Sequence, residues 1–379
     1  MKIDAIRLYH LSAPLSEPIG NANLFFDRRE TLLVEVAAGP LSGWGEAWSA
    51  PAATSTAIRA QLARCVLGQD PQAFGRLWSD MREAAGSRIG PGMMGVAALD
   101  MALHDLAARE RGVPLFLLLG GARRDRVAAY ASGPFFKPGG HPYRDFEREV
   151  ADYLQAGFRA VKLRIGFGPA DDAAAAIAVR RLIGADTPLM VDFNQSVTPR
   201  NAIRTADRMA AADLLWIEEP ASPRDLDGYR LVASHVRPAI SGGETYCSAA
   251  EFAPFLAAGA MDILQPDIAI CGGFSGVAQV MALADLHDRP IVPHVWGSIV
   301  NFQAALHLVA TLPAHRIGAP ASLPFLEFDA GPNPLLDLLG RPSLNPDGTV
   351  SVPETPGLGI ELGRDALEPY LVDHIELTL

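Results

Sequence analysis

Ionisable side chains recur at regular intervals along the sequence, each close to the end of a short apolar run. The members of this set are Lys162, Arg164, Asp192, Glu218, Glu244, Asp267, His294 and Glu327. Counted from Lys162 and leaving out Arg164, the intervals are 30, 26, 26, 23, 27 and 33 residues. This spacing is that of one strand plus one helix, so it predicts side chains that converge at the carboxyl-terminal mouth of a parallel barrel.

Three members of the set are carboxylates at the ends of consecutive predicted strands: Asp192, Glu218 and Glu244. A single acid in such a position is most often a solvated loop residue or a helix N-cap. Three that converge would repel one another strongly. A hard divalent cation offsets that repulsion and accepts oxygen ligands, so the interpretation is a Mg²⁺ site held by these three residues.

His294 and Asp267 end neighbouring runs, which predicts that they meet across the barrel mouth. A lone histidine is more often structural. A carboxylate beside it would fix its tautomer and raise its pKa, which is the arrangement that a general base needs.

Lys162 and Arg164 stand two positions apart in a predicted strand, so both side chains point to the same side. They are either two surface cations or groups that bind an anionic substrate and neutralise charge developing on its carboxylate. Glu327 is either a structural acid or a hydrogen-bond donor to the same oxyanion, a role that requires a raised pKa.

Short apolar runs alternate with Ala-rich helical windows over the second part of the chain, which predicts an α/β fold with a (β/α) barrel. The runs are Val127–Ala131, Ala160–Leu163, Pro188–Val191, Leu214–Ile217, Ala239-Ile240, Ile263-Leu264, Pro290–Val292 and Pro324–Leu326. The first ~120 residues combine strand alternation with a long helix over Met93–Arg111, which indicates an α+β domain. We therefore predict an N-terminal domain over 1–122, a barrel over 123–330 and a C-terminal segment over 331–379 that packs back on the first domain.

Composition limits the class of protein. Hydrophobic residues form 49% and charged residues 20% of the 379 residues, which excludes disordered, collagen-like and coiled-coil classes. The net charge of −11 without a basic tract argues against nucleic-acid binding, and no uninterrupted apolar run reaches the length of a membrane span. Three cysteines without zinc spacing favour a reducing compartment, so a cytoplasmic protein without nucleic-acid or membrane partners is expected.

At these same residues the chain resembles the enolase superfamily, and within it the mandelate racemase subgroup. The motifs that carry the resemblance are Val161–Gly166, Val191–Gln195, Trp216–Pro220, Gly243–Thr245, Gln265–Asp267, Pro293-His294 and Leu326-Glu327. The resemblance implies an α+β capping domain over a modified (β/α) TIM-like barrel, and such barrels often form homo-oligomers. It also implies that Asp192, Glu218 and Glu244 hold Mg²⁺.

The chemistry implied by the resemblance is removal of the proton next to the carboxylate of a small-molecule substrate, through an enediolate. In that scheme His294 with Asp267 matches the base, Lys162 the lysine at the carboxylate, and Glu327 the electrophilic acid. The segment Asp267–Gly273 holds no lysine, which disfavours the muconate cycloisomerase and dipeptide epimerase branch.

Arg164 departs from the subgroup pattern, because many members carry a second lysine there as the opposite base. A guanidinium is not deprotonated in proteins, so a two-base racemase is disfavoured and β-elimination is favoured. Finer similarity at Phe26–Arg29, Asp262–Asp267, Cys271–Ser275, Pro293–Gly297 and Glu327–Asp329 resembles the galactarolactone cycloisomerase branch. The expected substrate is a sugar acid or its lactone. A racemase or epimerase of a hydroxy or amino acid, and a non-catalytic sugar-acid binder, remain as alternatives.

Overall fold

The first part of the chain forms an antiparallel sheet. The computed structural model describes residues 1–86, 88–316 and 322–379. Strands β1 (Ala5–Gly20), β2 (Phe25–Ala38) and β3 (Leu41–Ala47) pair in sequence order. The turn between β2 and β3 contains Gly39 at a φ of +56°, a left-handed conformation that glycine adopts without steric cost.

Helices cover one face of this sheet. They are α1 (Pro51–Ala57), which runs into a π-helical turn over Ile58–Leu62, then α2 (Ala63–Val66), α3 (Phe74–Ala84), α4 (Pro91–Glu110) and α5 (Leu115–Leu118). Helix α4 matches the helix expected over Met93–Arg111. It packs so closely on β3 that a Cβ at Gly45 would overlap the carbonyl oxygen of Ala98. Glycine is therefore required at this contact.

Seven parallel strands of the described residues curl into the barrel, with helices outside, as the α/β prediction required. The elements in chain order are β4 (Arg126–Ser132), α6 (Phe146–Gln155), β5 (Val161–Arg164), α7 (Pro169–Ile183), β6 (Leu189–Asp192), α8 (Pro199–Arg208), β7 (Trp216–Glu218), α9 (Leu226–Ala233), β8 (Ala239–Gly242), α10 (Ala249–Ala257), β9 (Ile263–Leu264), α11 (Gly273–Leu286), α12 (Ile299–Thr311), the short antiparallel pair β10 (His315–Arg316) and β11 (Ser322–Leu323), and β12 (Leu326–Asp329). The parallel order is β12-β4-β5-β6-β7-β8-β9.

The seventh apolar run, Pro290–Val292, was wrongly predicted to be a strand. It makes one isolated parallel bridge, between Leu264 and Ile291, and a second bridge follows it between Asp267 and His294. The reason is that Pro290 and Pro293 lack the N–H groups that a continuous ladder requires. The bridge at His294 nevertheless brings it beside the sixth strand end.

Buried apolar side chains fill the barrel below its charged mouth. They form one cluster of Tyr130, Ala160, Met190, Trp216, Ile263, Val292, Leu323 and Phe325. Several of these residues precede a predicted site residue by two positions, as Ala160 precedes Lys162 and Trp216 precedes Glu218. Because strand side chains repeat with a period of two, the apolar layer and the charged layer share one face of each strand.

The last segment touches both parts of the molecule. Strand β13 (Thr349–Ser351) pairs antiparallel with β4 of the barrel. After the short helix α13 (Arg364–Leu367), strand β14 (Leu371–Thr378) pairs antiparallel with β1 and completes a four-stranded sheet in the order β14-β1-β2-β3. In the described ranges, no helix has both the length and the apolar character needed to cross a membrane.

The buried His307 of α12 makes folding sensitive to acid. Its Nδ1 accepts a hydrogen bond from the N–H of Phe116 at 3.3 Å, and burial lowers its pKa to about 4. In the unfolded chain the group titrates near 6.5, so the unfolded state takes up a proton first as the pH falls. The stability contribution is present above pH 6.5 and is lost as the pH falls towards 4.

We therefore expect His307→Gln, which keeps an acceptor and does not titrate, to weaken this pH dependence. Between pH 7 and 5 the wild type should lose about 2 kcal/mol more unfolding free energy than the variant. Urea unfolding of both proteins at the two pH values measures the difference. Parallel losses in the two proteins would contradict the assignment.

Candidate active site

A cavity of about 370 Å³ lies at the carboxyl ends of the barrel strands, under the N-terminal domain. Barrel side chains that line it include Lys162, Asp192 and Glu244, and the N-terminal domain contributes Phe26 and Trp48. A larger cavity, of about 630 Å³, lies at the opposite end of the strands and contacts none of the predicted site residues. The predicted site residues therefore converge on the smaller cavity, at the mouth of the barrel.

Lys162 stands at the centre of the charged layer with only 1% of its surface exposed. Its Nζ lies 2.6 Å from Glu218 Oε1, 2.8 Å from Glu327 Oε1 and 3.9 Å from Asp192 Oδ2. Burial opposes its positive charge, but Glu218 and Glu327 outweigh that effect and raise the pKa of Lys162 well above its usual value. The ammonium is a fixed positive charge below the cavity.

Two of the three carboxylates predicted to hold a cation, Asp192 and Glu218, lie within 4 Å of this lysine. Burial raises the pKa of Asp192 to about 6, and repulsion from Glu244 adds to the shift while Lys162 opposes it. Burial likewise raises the pKa of Glu218 and of Glu244. In the part of the chain that the structure describes, no group of three or more His, Cys, Asp or Glu side chains is arranged to bind one metal ion.

A fourth buried acid, Glu219, was not singled out from the sequence. Burial, together with repulsion from Glu244 and Asp192, raises the pKa of this carboxyl group well above its usual value. Gln195 donates a hydrogen bond to its Oε1 at 2.6 Å, and the residue has a φ of +46°. An acid adjacent to another acid in the sequence gave no signal that distinguished it from a surface residue.

These carboxylates have the donor chemistry that a hard cation requires. Asp192 and Glu218 are buried and Glu244 is partly buried, and the pKa of each of the three is raised by burial and by repulsion from its neighbours. A divalent cation would relieve that repulsion. The donor chemistry of these carboxylates therefore fits Mg²⁺. In this structure the Lys162 ammonium contacts two of them, Asp192 and Glu218.

His294 and Asp267 meet as the sequence predicted. The imidazole Nδ1 lies 2.7 Å from Asp267 Oδ2, and its Nε2 lies 3.4 Å from Glu244 Oε2. Burial alone would lower the pKa of His294, but Glu244 and Asp267 outweigh it and raise that pKa to about 10. Asp267 thus fixes one ring nitrogen as a donor and leaves Nε2 for chemistry.

Two residues outside every motif hold Asp267 in place. Trp48, just after β3 of the N-terminal domain, donates its indole N–H to Asp267 Oδ2 at 2.8 Å. Asn301 of α12 donates its amide to Oδ1 at 3.2 Å. Sequence reasoning missed both, because neither lies in the periodic pattern and both contacts join distant segments.

Glu46 of β3 ties the N-terminal domain to the segment that follows His294. Its carboxylate accepts hydrogen bonds from the Thr31 hydroxyl, from the Ser298 N–H and hydroxyl, and from the Asn301 N–H. Complete burial raises its pKa to about 7, although these donors favour the charged form. The cap and the base-bearing segment therefore share one buried hydrogen-bond network.

Glu327 does not have the raised pKa that a hydrogen-bond donor needs. Burial alone would raise it, but Lys162 and His294 outweigh burial and lower the pKa of Glu327 to about 2. Its Oε2 accepts the N–H of Val295 at 3.0 Å. In this geometry Glu327 is an acceptor that anchors Lys162, and the expected donor role stays a prediction.

Arg164 lines the cavity, as its spacing from Lys162 predicted. Its guanidinium carbon lies 3.8 Å from the ring centroid of Phe135, and Nη2 is 3.4 Å from Ser132 Oγ. Two aromatic residues that follow site residues differ in position. Trp296 lines the cavity, whereas Tyr246 packs in the core and donates its hydroxyl to the Pro223 carbonyl at 2.7 Å.

Comparison with known proteins agrees with this class of barrel and cap. Residues 145–366 match the family model described as Enolase C-terminal domain-like. Residues 5–120 match the model of the mandelate racemase / muconate lactonizing enzyme N-terminal domain. The chain belongs to this mandelate racemase and muconate lactonizing enzyme family of the enolase superfamily.

Three relatives mark its position in the family. D-galactarolactone cycloisomerase of Agrobacterium fabrum (strain C58) is 38% identical over 98% of this chain and 99% of its own length. L-talarate/galactarate dehydratase of Salmonella typhimurium (strain LT2) is 30% identical over 96% of this chain and 90% of its own. A racemase from Streptomyces coelicolor A3(2), solved with bound magnesium, is 27% identical with a TM-score of 0.86, covering 98% of this chain and 100% of that one. These two curated relatives are thus enzymes of sugar acids or their lactones.

Relief of carboxylate repulsion predicts a large stability response to Mg²⁺. At a hundredfold excess over Kd, Mg²⁺ should stabilise the wild type by about 2.7 kcal/mol. Glu244→Gln removes one charge from the repelling group, so this variant should be little affected by EDTA and should lose most of the Mg²⁺ response. Thermal unfolding with EDTA and with Mg²⁺ measures both effects.

Glu251→Gln is the matched control, because Glu251 does not line the cavity. Its carboxylate accepts a hydrogen bond from the Cys247 N–H at 2.7 Å. The control should keep the full Mg²⁺ response. An equal response in Glu244→Gln would remove Glu244 from the cation site.

Proposed function

We propose that this chain is a Mg²⁺-dependent lyase or cycloisomerase of a sugar acid or its lactone. It would remove the proton α to the carboxylate, pass through an enediolate and then eliminate a β-oxygen substituent. The observation that carries the proposal is the His294–Asp267 pair, 2.7 Å apart, on one cavity with Lys162. The curated relatives, a cycloisomerase and a dehydratase, support the same substrate class.

The proton is transferred at His294 Nε2. Asp267 holds Nδ1 as a donor, so the imidazole takes the α-proton on Nε2 while the C–H electron pair enters the enediolate. When the enediolate collapses, the electrons form the α–β double bond and the β-oxygen leaves. The leaving oxygen takes the proton back from Nε2, and the enol product tautomerises to a 2-keto-3-deoxy acid.

Lys162 stabilises the charge that develops on the substrate carboxylate. Its ammonium is buried and already oriented by Glu327, so it needs no reorganisation when the charge forms. Mg²⁺ held by Asp192, Glu218 and Glu244 would polarise the same carboxylate and offset the acidic charge that keeps His294 protonated. Glu327 acts here as the residue that positions Lys162.

Arg164 limits the reaction to one face of the substrate. A guanidinium does not accept a proton, and Arg164 stands two positions from Lys162 on the same face of β5. Proton removal and return therefore both fall to His294. This arrangement favours elimination over racemisation.

A screen of sugar acids and their lactones with Mg²⁺ in D₂O tests the reaction. NMR should detect a 2-keto acid from at least one substrate. Deuterium at the α-carbon of an unchanged skeleton would favour the racemase or epimerase instead. Absence of both signals, with Mg²⁺ binding demonstrated, would favour the sugar-acid binder.

Removal of the base gives the second test. With an active substrate, His294→Asn should reduce turnover to background, because no other group can accept the α-proton at that position. Mg²⁺ binding, measured by the thermal shift, should be retained. Full activity in the variant would remove His294 from the mechanism.

Trp48→Phe tests the positioning of the dyad. The variant keeps a ring against Trp296, whose centroid lies 6.4 Å away, and removes only the N–H donated to Asp267. A lost hydrogen bond to a carboxylate should lower kcat about tenfold with little change in KM. Steady-state kinetics measures the two constants separately. An unchanged kcat would show that Asp267 needs no help from the cap, and a rise in KM alone would indicate a substrate contact.

A further inference from the structure

Two buried arginines share one wall of the cavity with two aromatic rings. Arg29 of β2 is 3% exposed and Arg164 of β5 is 5% exposed, and both line the cavity. The guanidinium carbon of Arg29 lies 4.0 Å from the Trp296 ring centroid and 5.2 Å from that of Phe135. The carbon of Arg164 lies 5.9 and 3.8 Å from the same two centroids. One guanidinium comes from the cap and the other from the barrel.

Each of these arginines has a buried donor nitrogen without a hydrogen-bond partner. Arg29 donates Nε to the Pro332 carbonyl at 3.1 Å, and its Nη2 lies 2.9 Å from Asp329 Oδ2. Arg164 reaches only Ser132 Oγ through Nη2. Among the described residues, Nη1 of Arg29 and Nη1 of Arg164 have no acceptor. Buried donors are nearly always paired, so two unpaired ones on a cavity wall indicate acceptors supplied by a ligand.

The charges of this wall are also unbalanced. Asp329 is paired with Arg29, and among the described residues no carboxylate forms an ion pair with Arg164, whereas Lys162 is already paired with acids of the barrel. Burial lowers the pKa of Arg29 to about 10, and repulsion from Arg164 adds to that effect while Asp329 opposes it. An anion bound between the two guanidinium groups would supply the missing negative charge. Arginine favours carboxylates, which it can bind through two parallel hydrogen bonds.

The position of this wall matches the second end of a short substrate. Arg164 stands two residues beyond Lys162 on the same face of β5, a rise of about 6.6 Å along a strand. Both side chains line the cavity, so a six-carbon diacid can place one carboxylate near Lys162 and direct its far end towards Arg164. The cavity volume of about 370 Å³ lies near the lower limit of small-ligand pockets, which suits a compact sugar acid.

We propose that Arg29 and Arg164 form a second anion subsite that binds the distal carboxylate of the substrate. The substrate class is then a sugar diacid or its monolactone, and monoacids are discriminated against because they leave the two donors unpaired. This inference rests on the proposed function, since it assigns the other carboxylate to the Lys162 end. It gives Arg164 a binding role in the place of a second base.

Calorimetric titration with Mg²⁺ present tests the subsite without turnover. The ligands are hexarates and the matching hexonates of the gluco, galacto, manno and talo series, with 6-phosphogluconate as a phosphate probe. The titrations use the inactive variant His294→Asn, so that no substrate is consumed during the measurement. The best diacid should bind at least about tenfold more tightly than its monoacid, as expected for paired charged hydrogen bonds. Arg29→Gln and Arg164→Gln should each reduce that ratio to about threefold or less.

Arg341→Gln is the matched control for loss of a nearby guanidinium. Arg341 donates to the Asp329 carbonyl at 2.6 Å but does not line the cavity, so this variant should keep the diacid preference. Arg164→Gln breaks no ion pair, so it remains informative if loss of the Arg29–Asp329 pair prevents folding of the other variant. Circular dichroism and the Mg²⁺ thermal shift check both folds.

The subsite would be overturned by equal affinity for diacid and monoacid, or by no binding of any diacid. It would also be overturned if the preference for the diacid survived Arg164→Gln, or if the phosphate probe bound more tightly than every diacid. Failure of the proposed reaction gives a different result. In that case the diacid preference and its loss in the variants remain, while wild-type protein forms neither keto acid nor α-deuterated acid.

Discussion

Repulsion among buried carboxylates at one end of the barrel is the constraint on which the rest of the structure depends. The buried Asp192, Glu218 and Glu219 and the partly buried Glu244 are held together in a layer that contains Lys162 as its central positive charge. Burying like charges is costly unless cations and hydrogen bonds compensate. The curled parallel sheet and the apolar layer beneath it provide the rigidity that holds these groups in place, and the deficit of positive charge at the mouth favours a cation there.

The periodic part of the site was predictable from the sequence, because parallel strands bring their carboxyl ends to one edge. A constant strand-plus-helix interval is therefore enough to place Asp192 beside Glu218 and Asp267 beside His294. The barrel and the α+β cap followed from the same periodicities. The prediction of a seventh strand was wrong, because it relied on the apolar residues of the run and neglected the N–H groups that its prolines lack.

Residues of the cap could not be predicted to join the site. Trp48 and Arg29 contact barrel residues more than two hundred positions away, and no interval or motif encodes that contact. The protonation state of Glu327 also could not be predicted from the sequence, because the pKa of this residue depends on its distance from Lys162. Charge state follows from side-chain distances and burial, and neither is a property of sequence spacing.

Strand β14 also bears on the order in which the molecule assembles during synthesis. It pairs with β1, so the sheet that contains β1 lacks one strand until residues 371–378 have been synthesised. Contacts of such long sequence separation form late and slowly. The β1 edge of the nascent sheet therefore stays open while the entire barrel is synthesised.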